Sequence, residues 1–173
     1  YFCCAAAHGY QTPLAANLNA LGVGTFGVVG EHVASGWTVA NAAANLHNLY
    51  ASQLLDPDVI LVNIGTNDLP NIQSGATTEA AWKASLATLL DSLNTHWPNA
   101  QILVARVYYP AYSTQADTLN DTWIPAVLAT RGAFAAVGID ERTFLGDPGN
   151  LEADNLHPTS QGYDVTADEW QTA

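Results

Sequence analysis

The chain has 173 residues, a length that suits one domain around a single core. Hydrophobic residues make up 49% of it and charged residues 12%, which is typical of a packed globular protein and excludes a disordered one. Four Lys and Arg residues stand against sixteen acidic ones, for a formal net charge of −12. This balance excludes nucleic acid and anionic membrane surfaces as partners but leaves neutral polymers open.

Helical patterns alternate with short apolar runs, which predicts a parallel sheet covered by helices. In the first half of the chain we expect a helix over 11–21, a strand over 25–29 and a helix over 37–54 that stops at Asp56-Pro57. Residues 59–64 are apolar apart from Asn63 and predict a strand buried on both faces.

The second half continues the alternation. The pattern predicts a helix over 79–96, a strand over 101–107, a long helix over 119–137 interrupted at Pro125, and a very short strand over 138–140. Thr159 or Ser160 is expected to cap a closing helix that runs through Trp170.

The loops at the carboxyl ends of the strands are the expected binding region of such a sheet. They comprise residues 30–36, 65–77, 108–117 and 141–158. We expect one domain over 1–173, and no apolar run reaches the roughly twenty residues of a membrane span. The uncharged polar surface favours secretion, with no signal peptide in this chain.

Asp154 precedes His157 by three residues, just before the closing helix. This spacing lets a carboxylate take the Nδ1 proton of an imidazole and leaves Nε2 to act as general base. The same spacing also fits a surface turn in which Asp154 binds backbone and His157 is solvated, so spacing alone leaves both interpretations open.

Two loops carry potential donors to an oxyanion. Asn67 lies in Gly65-Thr66-Asn67-Asp68 directly after the apolar run 59–64, and Gly36 lies where a second helix begins. A turn in which Asn67 and Asp68 bind backbone amides is the alternative. Ser35 lacks the strand-turn-helix elbow of a nucleophile, so we interpret its loop as a donor loop.

The histidines and cysteines show no metal-ligand spacing, so no metal site is expected. Cys3 and Cys4 are adjacent, and neighbouring cysteines rarely pair because the geometry strains the peptide between them.

Four blocks of this chain resemble the SGNH hydrolases, also called the GDSL esterase and lipase superfamily, and most closely its carbohydrate esterase family 3 acetyl esterases. The resemblance lies in residues 8–14, in 30–39, in Gly65 to Asp68, and in Asp154 to Pro158 with Gly162-Tyr163.

The resemblance implies a three-layer α/β/α sandwich with a flavodoxin-like parallel sheet. It also implies hydrolysis of acyl esters, acetyl esters on carbohydrate above all, through an acyl-enzyme without metal or cofactor. His157 is then the base, Asp154 its orienting acid, and Gly36 and Asn67 the oxyanion donors. The expected partner is a small-molecule or polysaccharide ester; the oligomeric state is not indicated.

The first block departs from the family, because residues 1–7 stand where the family has Gly-Asp-Ser, and no serine precedes Ser35. Three explanations are open. The serine belongs upstream or in place of these residues, which we favour; or residues 1–7 form an inert first strand; or Cys3 or Cys4 replaces the serine as a thiolate nucleophile. As small buried hydrophobes, both cysteines would instead have only a structural role.

A non-enzymatic alternative follows from the second explanation. The fold would then bind glycan or assemble into a larger surface structure without hydrolysis. Nucleotide binding is excluded because no glycine-rich phosphate loop follows any strand.

Overall fold

A computed structural model describes residues 9–22, 25, 27, 35–47, 50 and 56–173 of the chain. Residues 1–7, with Cys3 and Cys4, lie outside this described part, as do residues 30–34 and most of the strand expected over 25–29.

Within the described residues, three parallel strands form a sheet in the order β1-β2-β3, where β1 is Val59–Val62, β2 is Gln101–Arg106 and β3 is Ala135–Asp140. Val59 aligns with Gln101 in the first pair, and Ile102 aligns with Ala135 in the second. The register of the second pair shifts between Val104 and Arg106. Because all three strands run in one direction, their carboxyl ends meet at one edge.

The helices that flank the sheet are α1 (Gln11–Ala20), α2 (Val39–Ala44), α3 (Leu69–Gln73), α4 (Glu79–His96), α5 (Ser113–Thr118), α6 (Ile124–Leu128) and α7 (Ser160–Thr172). Successive strand residues point to opposite faces. Ile102 and Val104 therefore lie in a core with α2, α4 and α6, whereas Ala105 lies in a second core with α1 and α7. The result is the expected three-layer α/β/α arrangement.

Several expected elements are confirmed with small changes in their bounds. Thr78 caps α4 by accepting the N–H of Ala81, and Thr159 caps α7 by accepting the N–H of Gly162. The strand expected over 59–64 ends at Val62, and the one expected over 101–107 ends at Arg106.

The helix expected over 37–54 begins at Val39, because Thr38 caps it in a reciprocal capping box with Asn41. It is interrupted at Asn45, whose φ of −118° is not helical. Residues 48–49 and 51–54 of that expected helix lie outside the described part.

The long helix expected over 119–137 is wrong. Helical structure begins earlier, at Ser113, continues through a π-helical turn at Leu119–Trp123, and ends with α6 at Leu128. Residues 135–137 belong to β3, which is longer than the expected strand over 138–140. The alanines and Gly138 carry little strand propensity, so tertiary packing decides this segment.

The packing of α7 requires a glycine at position 162. A Cβ there would lie 2.1 Å from the backbone oxygen of Asn150, which cannot move away easily. We expect Gly162→Ala to lower the free energy of unfolding by about 1–3 kcal/mol, as overpacking does. Denaturant unfolding measures this.

Gly132→Ala is the matched control, because a Cβ at Gly132 meets no atom within 4 Å. Its change should stay within about 0.5 kcal/mol, as for ordinary surface substitutions. Equal effects of the two variants would show that the close contact at Gly162 is unimportant.

Candidate active site

Asp154 holds His157 through both of its carboxylate oxygens. Oδ1 accepts the backbone N–H groups of Leu156 at 2.9 Å and of His157 at 3.0 Å. Oδ2 lies 2.5 Å from Nδ1 of the His157 ring. One carboxylate therefore fixes both the backbone and the ring of the histidine, so the expected pairing of Asp154 with His157 is present in the structure.

The loop that carries this pair is closed on itself. The N–H of Glu152 donates to the His157 carbonyl at 2.8 Å, and Leu151 and Pro158 form an antiparallel bridge. Asn155 turns the chain with a φ of 54°, a left-handed conformation that asparagine tolerates better than most residues. This short closed loop places Asp154 and His157 side by side.

The hydrogen bonds to Asp154 lower the pKa of its carboxyl to about 2, chiefly through the His157 ring and then through the two backbone N–H groups. Asp154 therefore stays ionised across the neutral range, although its side chain is 48% exposed. An ionised Asp154 keeps the proton of the His157 ring on Nδ1.

A hydrogen bond joins the loops that contain Gly36 and Asn67. Asn67 Nδ2 donates to the backbone oxygen of Trp37 at 3.0 Å, and Asn67 is half-buried. Gly36 occupies an exposed turn at a φ of +74°, which disfavours any residue with a side chain. Ser35 is exposed in the same turn.

Asp68 forms a second hydrogen bond between the same two parts of the chain. Its Oδ2 accepts the backbone N–H of Val39, the first residue of α2, at 3.0 Å. The alternative role expected for Asp68, binding a backbone amide, is thus realised while Asn67 makes a separate contact.

Burial raises the pKa of Asp68 to about 6, against the lowering effect of the Val39 amide and the Trp82 indole. The Trp82 indole has this effect on Asp68 without a hydrogen bond, since its N–H has no hydrogen-bond partner.

A small cleft, open to solvent, lies at this edge of the sheet. Thr66, the neighbour of Asn67, contributes to its wall, and so do Leu156 and Pro158 on either side of His157. The cleft thus brings the loop of Asn67 and the loop of His157 to one place. Its remaining wall consists of Tyr10, Asn63, Tyr108, Glu141, Leu145, Tyr163 and Thr166.

Glu141 and Asn63 are the wall residues that sequence reasoning missed. Glu141 is 6% exposed, and it accepts hydrogen bonds from Asn63 Nδ2 at 2.6 Å and from the backbone N–H of Tyr108 at 3.2 Å. Burial raises its pKa, against the lowering effect of those two donors. The sequence signal that could have identified Asn63 and Glu141 is a polar residue at the end of an apolar run.

Among the described residues, no group of three His, Cys, Asp or Glu side chains is arranged to hold a metal ion. Within the same part of the chain, no helix is both long and apolar enough to cross a membrane.

Residues 2–165 match the model of the GDSL-like lipase/acylhydrolase family. The chain belongs to this family. The match covers most of the chain and includes both loops of the cleft, so the SGNH resemblance expected from the four sequence blocks is confirmed.

Solved structures of this family share the fold. A Clostridium thermocellum family 3 carbohydrate esterase is 24% identical with a TM-score of 0.69, over 96% of this chain and 88% of that one. TesA is 19% identical with a TM-score of 0.73, over 96% and 87% of the two chains.

An uncharacterised protein of Mycoplasma pneumoniae is 32% identical over 62 residues. That match spans 36% of this chain and 7% of the Mycoplasma protein.

The pKa of Asp68 makes stability depend on pH. An ordinary aspartate loses its proton near pH 3.8, whereas Asp68 in the folded state loses it near 6. Between these values the folded state holds a proton that the unfolded state has released, so this group lowers the free energy of unfolding as pH rises.

We expect Asp68→Asn to remove that decline, because the amide oxygen of the introduced side chain can still accept the Val39 N–H. The stability of the variant relative to the parent should rise by up to about 3 kcal/mol between pH 4 and pH 7. Urea unfolding at several pH values measures it. Asp164→Asn, on the exposed face of α7, controls for the loss of one negative charge. A parallel pH dependence of Asp68→Asn and the parent would contradict the assignment.

Proposed function

We propose that this chain hydrolyses esters of short acyl groups, acetyl groups on carbohydrate above all, through an acyl-enzyme. The observation that carries the proposal is that Asp154 binds both the backbone N–H and the ring Nδ1 of His157. The residues on either side of His157 line a cleft, and Thr66, next to Asn67, lines the same cleft. The carbohydrate substrate rests on the sequence blocks shared with family 3 acetyl esterases, and a secreted protein fits such a substrate.

His157 is the general base in this proposal. With Nδ1 protonated toward Asp154, Nε2 accepts the proton of the nucleophile as it attacks the ester carbonyl carbon. The same proton then passes to the leaving alcohol, and water repeats the sequence to release the acid. Asp154 holds the ring and stabilises the imidazolium that forms between these steps.

Gly36 and Asn67 are the proposed oxyanion donors. The Asn67 amide is oriented by its hydrogen bond to the Trp37 carbonyl, and an amide nitrogen carries a second N–H that can donate to an oxyanion. The backbone N–H of Gly36 is the other donor. Because Trp37 directly follows Gly36, the hydrogen bond from Asn67 also keeps the two donors close together.

Replacing His157 tests the base. We expect His157→Ala to lower kcat for p-nitrophenyl acetate by about 10²- to 10⁴-fold, the contribution of a positioned general base. Asp154→Asn should also lower kcat, because an amide no longer fixes the ring in the tautomer that leaves Nε2 basic. Steady-state kinetics measures both.

His47→Ala is the control, because His47 is an exposed histidine with no part in this arrangement. Retained hydrolysis in His157→Ala, with correct folding, would refute the role of His157.

The nucleophile is the part of the proposal that depends on sequence alone. A serine supplied upstream or in place of residues 1–7 remains the favoured source, and a Cys3 or Cys4 thiolate is the alternative. Labelling with a fluorophosphonate probe and with iodoacetamide, followed by mass spectrometry of the modified peptide, distinguishes the two classes. A labelled residue whose modification abolishes hydrolysis would identify the nucleophile in this chain.

The alternative function predicted from the sequence is a binding module with this fold that does not hydrolyse esters. It predicts that an acetylated xylo-oligosaccharide binds in calorimetry without release of acetate. Release of acetate that stops in His157→Ala would exclude this candidate and support the esterase.

A further inference from the structure

Glu141 is a buried acid that the proposed reaction does not use, and it lies where all three described strands end. Asn63 comes directly after β1, Tyr108 lies two residues beyond β2, and Glu141 comes directly after β3. The two carboxylate oxygens of Glu141 are divided between these neighbours, since Oε1 accepts from Asn63 and Oε2 accepts from the Tyr108 N–H. One side chain thus ties three strand ends together.

Asn63 begins the segment that leads to Asn67. The end of that segment is fixed separately, because Asn67 donates to the Trp37 carbonyl and Asp68 accepts from the Val39 N–H. Glu141 therefore holds the segment at its start, on the side facing β2 and β3.

Glu141 also begins the segment that leads to Asp154 and His157. This segment is hydrogen-bonded along its length: the Leu145 N–H donates to the Glu141 carbonyl, and Asn150 Nδ2 donates to the Phe144 carbonyl. The Thr159 N–H then donates to the Asn150 carbonyl, just beyond His157. These hydrogen bonds link Glu141 to the chain just beyond His157.

We propose that Glu141 is a positioning residue that sets the distance between the oxyanion donor Asn67 and the base His157, by linking the segments that carry them through its hydrogen bond to Asn63. The proposal rests on the proposed esterase function. Glu141 lines the same cleft as Thr66 and Pro158, the neighbours of those two residues. In an acyl transfer, a misplacement of reacting groups by about 1 Å lowers the rate by as much as about 10²-fold.

The test reverses the hydrogen bond between positions 63 and 141, so that position 141 donates and position 63 accepts. Glu141→Gln places an amide N–H against the Asn63 amide or the Tyr108 N–H, so one donor loses its acceptor. Asn63→Asp places two carboxylates 2.6 Å apart unless they share a proton. In the double variant, the amide introduced at position 141 donates to the carboxylate introduced at position 63 and accepts from the Tyr108 N–H. Both contacts are thereby restored with isosteric side chains.

We expect each single variant to lower kcat about 10- to 100-fold with KM within about threefold of the parent, because ground-state binding does not require the aligned donors and base. The double variant should recover kcat to within about threefold of the parent. Leu93→Val is the control, since Leu93 is buried in α4 near the opposite edge of the sheet. It should lower the melting temperature without lowering kcat.

The same cycle is measured without substrate, so that failure of the esterase function does not obscure the result. The imidazole NMR resonances of His157 should shift in each single variant and return in the double variant. Unchanged kcat in the single variants would overturn the proposal, as would His157 resonances that do not respond. A double variant that recovers the melting temperature but not kcat would show that Glu141 is structural only.

Discussion

Buried side chains at the carboxyl edge of the sheet bond to backbone groups that the strand pairing and the helices leave unsatisfied, and these bonds connect the loops of the candidate site. A buried N–H without an acceptor costs about 1–3 kcal/mol, so each strand end needs a partner. Asn120 binds both the N–H and the carbonyl of Val107, at 2.9 and 2.7 Å. Glu141 accepts the N–H of Tyr108 beyond β2, and Asp68 accepts the N–H of Val39 at the start of α2. Asn120, Glu141 and Asp68 thus have a structural role: they accept backbone N–H groups and thereby position the loops that carry the proposed catalytic residues.

Asn120 reaches Val107 because it lies in the π-helical turn, where one extra residue per turn rotates the side chains that follow. The turn also places Leu119 about 3.5 Å from where a Cβ would lie on Gly65, in the segment that leads to Asn67. Gly65 adopts a φ of +127°, which a residue with a side chain would resist. Gly65 is therefore the point at which the helical layer, through Leu119, packs against the segment that leads to Asn67.

Local signals in the sequence were sufficient for α4 and α7, where a capping threonine precedes a clear apolar period, and for the Asp154 and His157 pair, whose contact spans three residues. They failed over 119–137, because Ala135, Ala136 and Gly138 carry little strand propensity and the place of this strand is decided by packing against α7 and β2. They also could not find Glu141, since its partners lie 78 and 33 residues away in the chain. Contacts across strands depend on register, which residue spacing does not encode.

Each of the four Lys and Arg residues of the chain is held in an ion pair: Lys83 with Glu79, Arg106 with Asp140, Arg131 with Asp91, and Arg142 with Asp117, Asp121 and Asp140. Their side chains are between 17% and 30% exposed. Trypsin, which cleaves after Lys and Arg, therefore meets only four protected sites, and none lies between Leu151 and Pro158, the closed loop that carries Asp154 and His157. Tryptic digestion of the native protein consequently reports opening of α4, of the sheet and of the turns next to β3, and does not cut the closed loop that carries His157.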